Sequence, residues 1–95
     1  MLRILLVKTS SLGDVVHNFP AVTDLRRHLP NAHIDWAVEE AYAPLVALHP
    51  GVNEVIPVAI RRWRRNFARR ATWREYGALR RRLASRPYDR IIDSQ

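Results

Sequence analysis

The chain opens with LRILLV at residues 2–7 and continues with KTSSLGD at residues 8–14. A short run of Ile, Leu and Val is typical of a buried parallel strand, and the periodic apolar residues from Val15 onward are typical of a helix. In α/β proteins, the polar turn after a strand commonly binds a ligand. This junction therefore predicts an α/β fold with a candidate site at its first strand-to-helix turn.

Three more apolar runs predict further strands, so four are expected in all. They span residues 2–7, 34–38, 55–60 and 88–92. Because helical segments lie between them, right-handed crossovers should build a Rossmann-like open parallel sheet, with strand order 3-2-1-4. The 95 residues make at most one modest domain.

The connecting segments carry helix signals. Apolar residues recur at helical spacing over 15–29, where Pro20 predicts a kink or a restart near Asn18. Residues 40–49 predict a second short helix.

A third helix is indicated after the third strand. Thr72 and Glu75 have the spacing of a capping box, so this helix is expected to start at about Trp73 and to end before Pro87. Residues 61–71 are interpreted as a separate basic connector.

Positive charge is concentrated in one stretch. The net charge is +7, but residues 61–86 hold eleven arginines and one acid, Glu75, while the other 69 residues sum to −3. The absence of cysteine fits a reducing cytosol. Lys8 interrupts the first apolar run, so no secretory signal is expected, and no run reaches transmembrane length. Any membrane association is therefore expected to be peripheral.

The carboxyl ends of the four strands should bring the notable polar residues to one edge of the sheet. These are residues 8–14, Glu39, Glu40, Arg61, Arg62 and residues 93–95. Asp14 is either a helix cap, which its spacing alone favours, or a general base. Glu39 and Glu40 either position sugar hydroxyls or stabilise a helix start. The turn matches neither a P-loop nor a dinucleotide fingerprint.

Four arginines around Trp63 form a candidate anion-binding cluster, because guanidinium groups pair bidentately with phosphate and carboxylate. They are Arg61, Arg62, Arg64 and Arg65. A solvated basic face and a nucleic-acid surface with stacking aromatic residues are the alternatives. Six further arginines are interpreted as solvated or membrane-facing: Arg69, Arg70, Arg80, Arg81, Arg82 and Arg86. The four histidines lack metal-ligand spacing and an obvious carboxylate partner, so no bound metal is expected.

Three stretches occur together in this order: VKTSSLGDV at 7–15, DWAVEE at 35–40 and VIPVAIRRWRR at 55–65. On these motifs the chain resembles the amino-terminal part of the lipopolysaccharide heptosyltransferase I family, in glycosyltransferase family 9. The resemblance implies that residues 1–95 are an incomplete acceptor-binding domain of a two-domain GT-B enzyme. It also implies inverting transfer of L-glycero-D-manno-heptose from ADP-heptose to Kdo of lipid A.

The resemblance further implies roles for individual residues. Asp14 matches the family's proposed catalytic base, and Thr9 and Gly13 would shape the crevice. Acceptor contacts are implied for Ser10, Ser11, Arg61, Arg62 and Arg65. The reaction would need no cofactor beyond the donor substrate, whose nucleotide would be held by a carboxyl-terminal domain absent from this chain. The chain alone is therefore expected to be inactive.

The same resemblance implies a cytoplasmic protein attached peripherally to the inner membrane, with no nucleic-acid partner. Two other functions remain open. One is a related heptosyltransferase that acts on a heptose acceptor, because the TSSLGD-like turn is shared more widely than IRRWRR. The other is a small basic nucleic-acid-binding domain, which would use the arginines without needing Asp14.

Overall fold

The computed structural model describes residues 2–94 and contains one four-stranded parallel sheet. The strands are β1 (Arg3–Val7), β2 (His33–Glu39), β3 (Glu54–Val58) and β4 (Arg90–Asp93). Their order is β3-β2-β1-β4, and every neighbouring pair is parallel. The predicted α/β fold and strand order 3-2-1-4 are confirmed, with each strand end within two residues of its predicted position.

Within residues 2–94, five α-helices and one 3₁₀ turn connect the strands. The helices are α1 (Leu12–His17), α2 (Phe19–His28), α3 (Ala43–Val46), α4 (Ile60–Arg65) and α5 (Arg70–Ala84), and the 3₁₀ turn is Glu40–Tyr42. The chain breaks between α1 and α2 at Asn18, so the predicted restart is confirmed. Pro20 lies in the first turn of α2, where its missing amide hydrogen leaves no helical hydrogen bond unmade.

Three local predictions were wrong. Residues 40–49 form a 3₁₀ turn and a four-residue helix instead of one longer helix. The supposed connector at 61–71 is largely helical, because it contains most of α4 and the start of α5. Thr72 and Glu75 make no capping box: α5 begins at Arg70, and the Thr72 hydroxyl donates to the carbonyl oxygen of Asn66 at 2.8 Å.

Helices cover both faces of the sheet. On one face, Trp36 and Val38 of β2 pack with Val15, Val22 and Val46 from α1, α2 and α3. On the other, neighbouring strand residues pack with side chains of α4 and α5. Because side chains alternate along a strand, β2 directs Asp35, Ala37 and Glu39 toward the α4 and α5 side.

The edges of the sheet differ. All four residues of β4 are exposed, including Ile91 and Ile92. β3 lies at the opposite edge, beside α4 and α5. Within residues 2–94, no helix has the length and apolar character needed to cross a bilayer.

Candidate active-site cleft

A cleft of about 310 Å³ lies at the carboxyl ends of three neighbouring strands. Its walls come from the turn after β1, the end of β2 and the start of α4. The lining residues are Thr9, Ser10, Glu39, Ile60, Arg61 and Arg64. The fold thus brings the hydroxyl-bearing turn and the arginine stretch together, although about fifty residues separate them in sequence.

The turn after β1 is pinned to β2 by its backbone. The Glu39 amide donates to the Thr9 carbonyl oxygen at 3.0 Å, and the indole Nε1 of Trp36 donates to the Lys8 carbonyl oxygen at 3.0 Å. The Lys8 ammonium group donates to the carbonyl oxygen of Ser94 at 3.0 Å, which shows a strand-end contact for this side chain. Gln95, named in the predicted edge cluster, lies outside the described residues.

Asp14 is an exposed residue in the first turn of α1, three positions after the cap. The cap itself is Ser11, and the two residues form a capping box. Asp14 Oδ2 accepts from the Ser11 amide at 3.4 Å and from the Ser11 hydroxyl at 3.3 Å. The carboxylate is open to solvent but does not line the cleft, so its role as a base stays a prediction.

Gly13 lies within α1, and a Cβ added there would meet no atom within 4 Å. Among residues 2–94, no neighbour therefore requires glycine at this position. The Ser10–Ser11 peptide bond is cis. The crevice-shaping roles of Thr9 and Gly13 and the acceptor contacts of Ser10 and Ser11 stay predictions.

Glu39 holds the arginine-rich helix in place. Its side chain is buried, and its two carboxylate oxygens accept from the backbone amides of Ile60 and Arg61, each at 3.1 Å. The first amides of a helix have no partner within it, and a carboxylate there also interacts favourably with the helix dipole. Of the two interpretations of Glu39, helix stabilisation is therefore observed, but the helix is α4, which follows the neighbouring strand β3.

The arginines of α4 differ in their surroundings. The Arg61 guanidinium lies 5.8 Å from the centre of the Tyr42 ring, and its Nη2 donates to the Tyr42 hydroxyl at 3.3 Å. Arg64 is exposed and lines the cleft, whereas Arg65 is exposed and lies outside its lining. Arg64 is the cleft arginine that the sequence analysis did not single out for acceptor binding.

Arg62 is engaged by two carboxylates. Its Nε and Nη2 donate to the two oxygens of Glu40 at 3.2 and 3.1 Å, and its Nη1 donates to both oxygens of Glu75 at 2.9 and 2.7 Å. The hydrogen bonds that Arg62 donates to Glu40, and then those to Glu75, raise the pKa of Arg62. A hydrogen bond from Trp63, followed by one from Arg62, lowers the pKa of Glu75. The acceptor contact predicted for Arg62 stays a prediction, since the guanidinium already has these partners.

A second charged cluster lies at the amino-terminal ends of the strands, and we call it the amino-end network. Its members are His33, Asp35, Glu54, Arg82, Arg86 and Tyr88. Asp35 is fully buried and accepts from Arg86 at 2.9 Å and from the Tyr88 hydroxyl at 2.6 Å. Arg82 and Arg86 both pair with Glu54. The interpretation of these two arginines as solvated or membrane-facing was therefore wrong.

The amino-end network also shifts the pKa values of two of its members, Glu54 and Tyr88. Hydrogen bonding by Arg86 is the largest influence on Glu54 and lowers the pKa of its carboxyl to about 2. Burial, followed by the hydrogen bond to Asp35, raises the pKa of the Tyr88 hydroxyl to about 12.

His33 has a carboxylate partner that the sequence analysis missed, because its Nε2 lies 2.8 Å from Asp35 Oδ1. Ligand atoms of His33, Asp35 and Glu54 lie within 4.8 Å of one another, a spacing that a metal ion would accept. Arginines already occupy both carboxylates, so their charge is balanced without a cation. The expectation of no metal stays a prediction.

No protein-family model matches the chain. The chain is 52% identical to lipopolysaccharide heptosyltransferase 1 of Pseudomonas aeruginosa and 46% identical to that of Escherichia coli, over 99% of its own length in both cases. It covers 26% and 30% of those proteins, so it spans less than a third of their length.

The structural comparison agrees. The chain superposes on E. coli heptosyltransferase WaaC, solved with ADP-2-deoxy-2-fluoro heptose, with a TM-score of 0.92 at 46% identity, covering 99% of this chain and 30% of that one. A glycosyl transferase family 9 protein from Veillonella parvula gives 0.75 at 24% identity, covering 97% and 25%, which shows the fold alone. The resemblance read from the three motifs is confirmed: the chain matches the amino-terminal part of heptosyltransferase 1.

Proposed function

We propose that this chain, similar over nearly its whole length to the amino-terminal part of heptosyltransferase 1, is the acceptor-binding part of an inverting heptosyltransferase. The enzyme transfers L-glycero-D-manno-heptose from ADP-heptose to Kdo of lipid A during synthesis of the lipopolysaccharide inner core. The structural observation that carries the proposal is the cleft in which the turn after β1 meets the arginines of α4.

In the proposed reaction Asp14 is the general base. It takes the proton of an acceptor hydroxyl while that oxygen bonds to the anomeric carbon of the donor sugar. The bond between that carbon and the donor's phosphate oxygen breaks, ADP leaves with the electron pair, and the configuration inverts. The exposed carboxylate at the start of α1 is accessible to a substrate hydroxyl, as this role requires.

The arginines would hold the acceptor, whose phosphates and carboxylates are matched by guanidinium groups. In this proposal the acceptor contacts are Arg61, Arg62, Arg65, Ser10 and Ser11. We add Arg64 to this proposed set, because it lines the same cleft as Arg61. Arg62 would exchange one of its carboxylate partners for an acceptor oxygen. Thr9 and Gly13 shape the crevice, and no metal or cofactor takes part.

Donor nucleotide contacts are assigned to a carboxyl-terminal domain beyond this segment. The 95 residues alone are therefore expected to be inactive and to bind ADP-heptose weakly. Isothermal titration of the chain with ADP-heptose checks this, and micromolar affinity would contradict the assignment. The complete enzyme is proposed to be cytoplasmic and attached peripherally to the inner face of the inner membrane.

The decisive test is a chimera in which this chain replaces the matching segment of E. coli WaaC. The chimera should transfer heptose, and Asp14→Asn should lower its turnover roughly a hundredfold or more, because a general base contributes about that much. Asp24→Asn is the matched control, since Asp24 is an exposed acid on α2. Undiminished transfer by the Asp14→Asn chimera would refute the base assignment. Faster transfer to a heptose-bearing acceptor than to a Kdo acceptor would favour the related heptosyltransferase instead.

A further inference from the structure

We propose that a groove between α4 and α5 is a docking surface for an anionic lipid bilayer. This groove, here called the aromatic groove, has a volume of about 460 Å³. Its aromatic lining residues are Trp63, Phe67, Trp73 and Tyr76, and its aliphatic ones are Val58, Ile60 and Leu79. The inference deepens the proposed peripheral attachment by naming the surface, and it does not depend on heptosyl transfer.

The aromatic groove exposes an unusual amount of apolar side chain. Phe67 is 68% exposed, Trp73 60% and Tyr76 40%, and all three belong to the same lining. Single exposed apolar residues are ordinary, but a contiguous group indicates an interaction surface. The groove lies beside β3, whereas the exposed residues of β4 lie at the opposite edge of the sheet.

Three aromatic rings of the groove, those of Trp63, Trp73 and Tyr76, are held by contacts within the chain before anything binds. Trp63 Nε1 donates to Glu75 at 2.9 Å, and Trp73 Nε1 donates to the carbonyl oxygen of Phe67 at 2.5 Å. Tyr76 packs edge to face with both Trp63 and Trp73. Both indole N–H groups therefore have partners and need none from lipid. Tryptophan and tyrosine are enriched where proteins meet the bilayer interface.

The elements that build the aromatic groove are strongly basic. Five exposed arginines lie on α4, α5 and the turn between them: Arg64, Arg65, Arg69, Arg70 and Arg74. Within residues 2–94, none of their guanidinium groups has a carboxylate partner, and the single acid of the segment, Glu75, pairs with Arg62. The unpaired arginines are complementary to the anionic headgroups of a bilayer, and the exposed aromatic side chains among them are complementary to the hydrocarbon beneath the headgroups.

The aromatic groove and the candidate cleft adjoin, because Ile60 and Arg64 line both. A bilayer seated on the groove would hold a lipid-anchored sugar next to the cleft. Nucleic acid offers the same negative charge, but it is bound by stacking on free ring faces. The edge-to-face packing of Trp63, Trp73 and Tyr76 favours the lipid partner.

Vesicle sedimentation tests the proposal with the chain itself. Vesicles of equal parts phosphatidylcholine and phosphatidylglycerol should bind the chain at least about tenfold more tightly than phosphatidylcholine alone. Phe67→Ser should weaken binding to the mixed vesicles roughly tenfold, because it removes an exposed aromatic ring. Leu48→Ser is the matched control, since Leu48 is 77% exposed but lies after α3, away from the groove.

The charge contribution is tested by a second pair of variants. Arg69→Gln with Arg70→Gln should weaken binding to the mixed vesicles about tenfold or more. Arg27→Gln with Arg90→Gln removes two exposed arginines outside α4 and α5 and should have a smaller effect. Thermal unfolding of each variant confirms that the chain remains folded.

Three results would overturn the proposal. The first is that the original chain does not bind the mixed vesicles. The second is that Phe67→Ser and Leu48→Ser weaken vesicle binding equally. The third is that Phe67→Ser abolishes binding of RNA but leaves vesicle binding intact. The last result would identify a nucleic-acid surface. A failure of the proposed enzyme function would be detected in a different assay, heptose transfer by the WaaC chimera to a water-soluble deacylated acceptor. Because this assay contains no bilayer, Phe67→Ser should leave transfer unchanged in it.

Discussion

The two ends of the sheet use the same residue type in opposite ways. At the amino-terminal ends of the strands, Arg82 and Arg86 are held by Glu54 and buried Asp35. At the carboxyl ends, Arg61 and Arg64 line an open cleft. The arginine composition of residues 61–86 therefore contains at least two populations, one that stabilises the fold and one available to a ligand. The two populations differ only in whether the fold places a carboxylate within reach of the guanidinium group.

Strand β2 carries the origin of this difference. Asp35 and Glu39 are both buried and lie four residues apart, so they face the same side of the sheet. Asp35 binds the side chain of Arg86, whereas Glu39 binds the backbone amides at the start of α4. Asp35 therefore pairs with an arginine side chain, which is then not available to a ligand. Glu39 instead holds the start of α4, the helix whose arginines line the cleft.

The largest expected effect is at the amino-end network. Arg86→Ala should lower the free energy of unfolding by about 3 kcal/mol, because it leaves buried Asp35 without its cationic partner. Urea denaturation measures the loss. Arg81→Ala is the matched control, because Arg81 is exposed on α5 and should change stability by less than about 0.5 kcal/mol. Equal stability of the two variants would remove the distinction between the two arginine populations.

A smaller loss is expected at the other end of β2. Glu39→Gln removes the charge and one of two carboxylate acceptors from the start of α4, so it should lower the free energy of unfolding by about 1–2 kcal/mol. Urea denaturation measures the free energy of unfolding of Glu39→Gln and of the control Asp24→Asn, which changes an exposed acid. If Glu39→Gln matched that control, the carboxylate would not hold α4.

The third effect depends on pH. The pKa of Glu54 is about 2 in the folded chain and 4.5 by its ordinary value, so its ion pairs stabilise the fold fully above pH 4.5. This contribution is lost as pH falls from 4.5 toward 2. The loss should be roughly 1 kcal/mol, because the side chain is partly open to solvent and its pairing is screened. Glu54→Gln should flatten the acid limb of a stability curve measured by urea denaturation at each pH. An acid limb with unchanged slope would place the titrating group elsewhere.

The smallest stability effect is expected at the rim of the cleft. Arg64→Ala should change the free energy of unfolding by less than about 0.5 kcal/mol, because its exposed guanidinium has no ion pair within the described residues. In the WaaC chimera the same change should weaken the apparent affinity for the anionic acceptor. A large stability loss would show that Arg64 belongs with the structural arginines.

The site was predictable where it is local in sequence. The turn after β1 was identified from its residues, and the fold places Thr9 and Ser10 in the cleft. The capping partner of Asp14 lies three residues away, and the spacing of Ser11 and Asp14 is that of a capping box, but the sequence prediction placed the cap at Asp14. The roles of Arg62, Glu39 and Asp35 depend on hydrogen-bond partners 13 to 53 residues away, and no spacing rule connects such residues.

By itself, the sequence determined the parallel sheet, its strand order, the break at Asn18 and the resemblance to heptosyltransferase 1. These follow from apolar periodicity, proline and three ordered motifs, which are properties of neighbouring residues. Tertiary structure alone decided that residues 61–65 are helical and which arginines are paired. It also decided that Glu39 accepts from the first amides of the helix that follows the neighbouring strand β3. Burial and pairing of charge depend on what the folded chain brings within hydrogen-bond distance, and local pattern does not encode that.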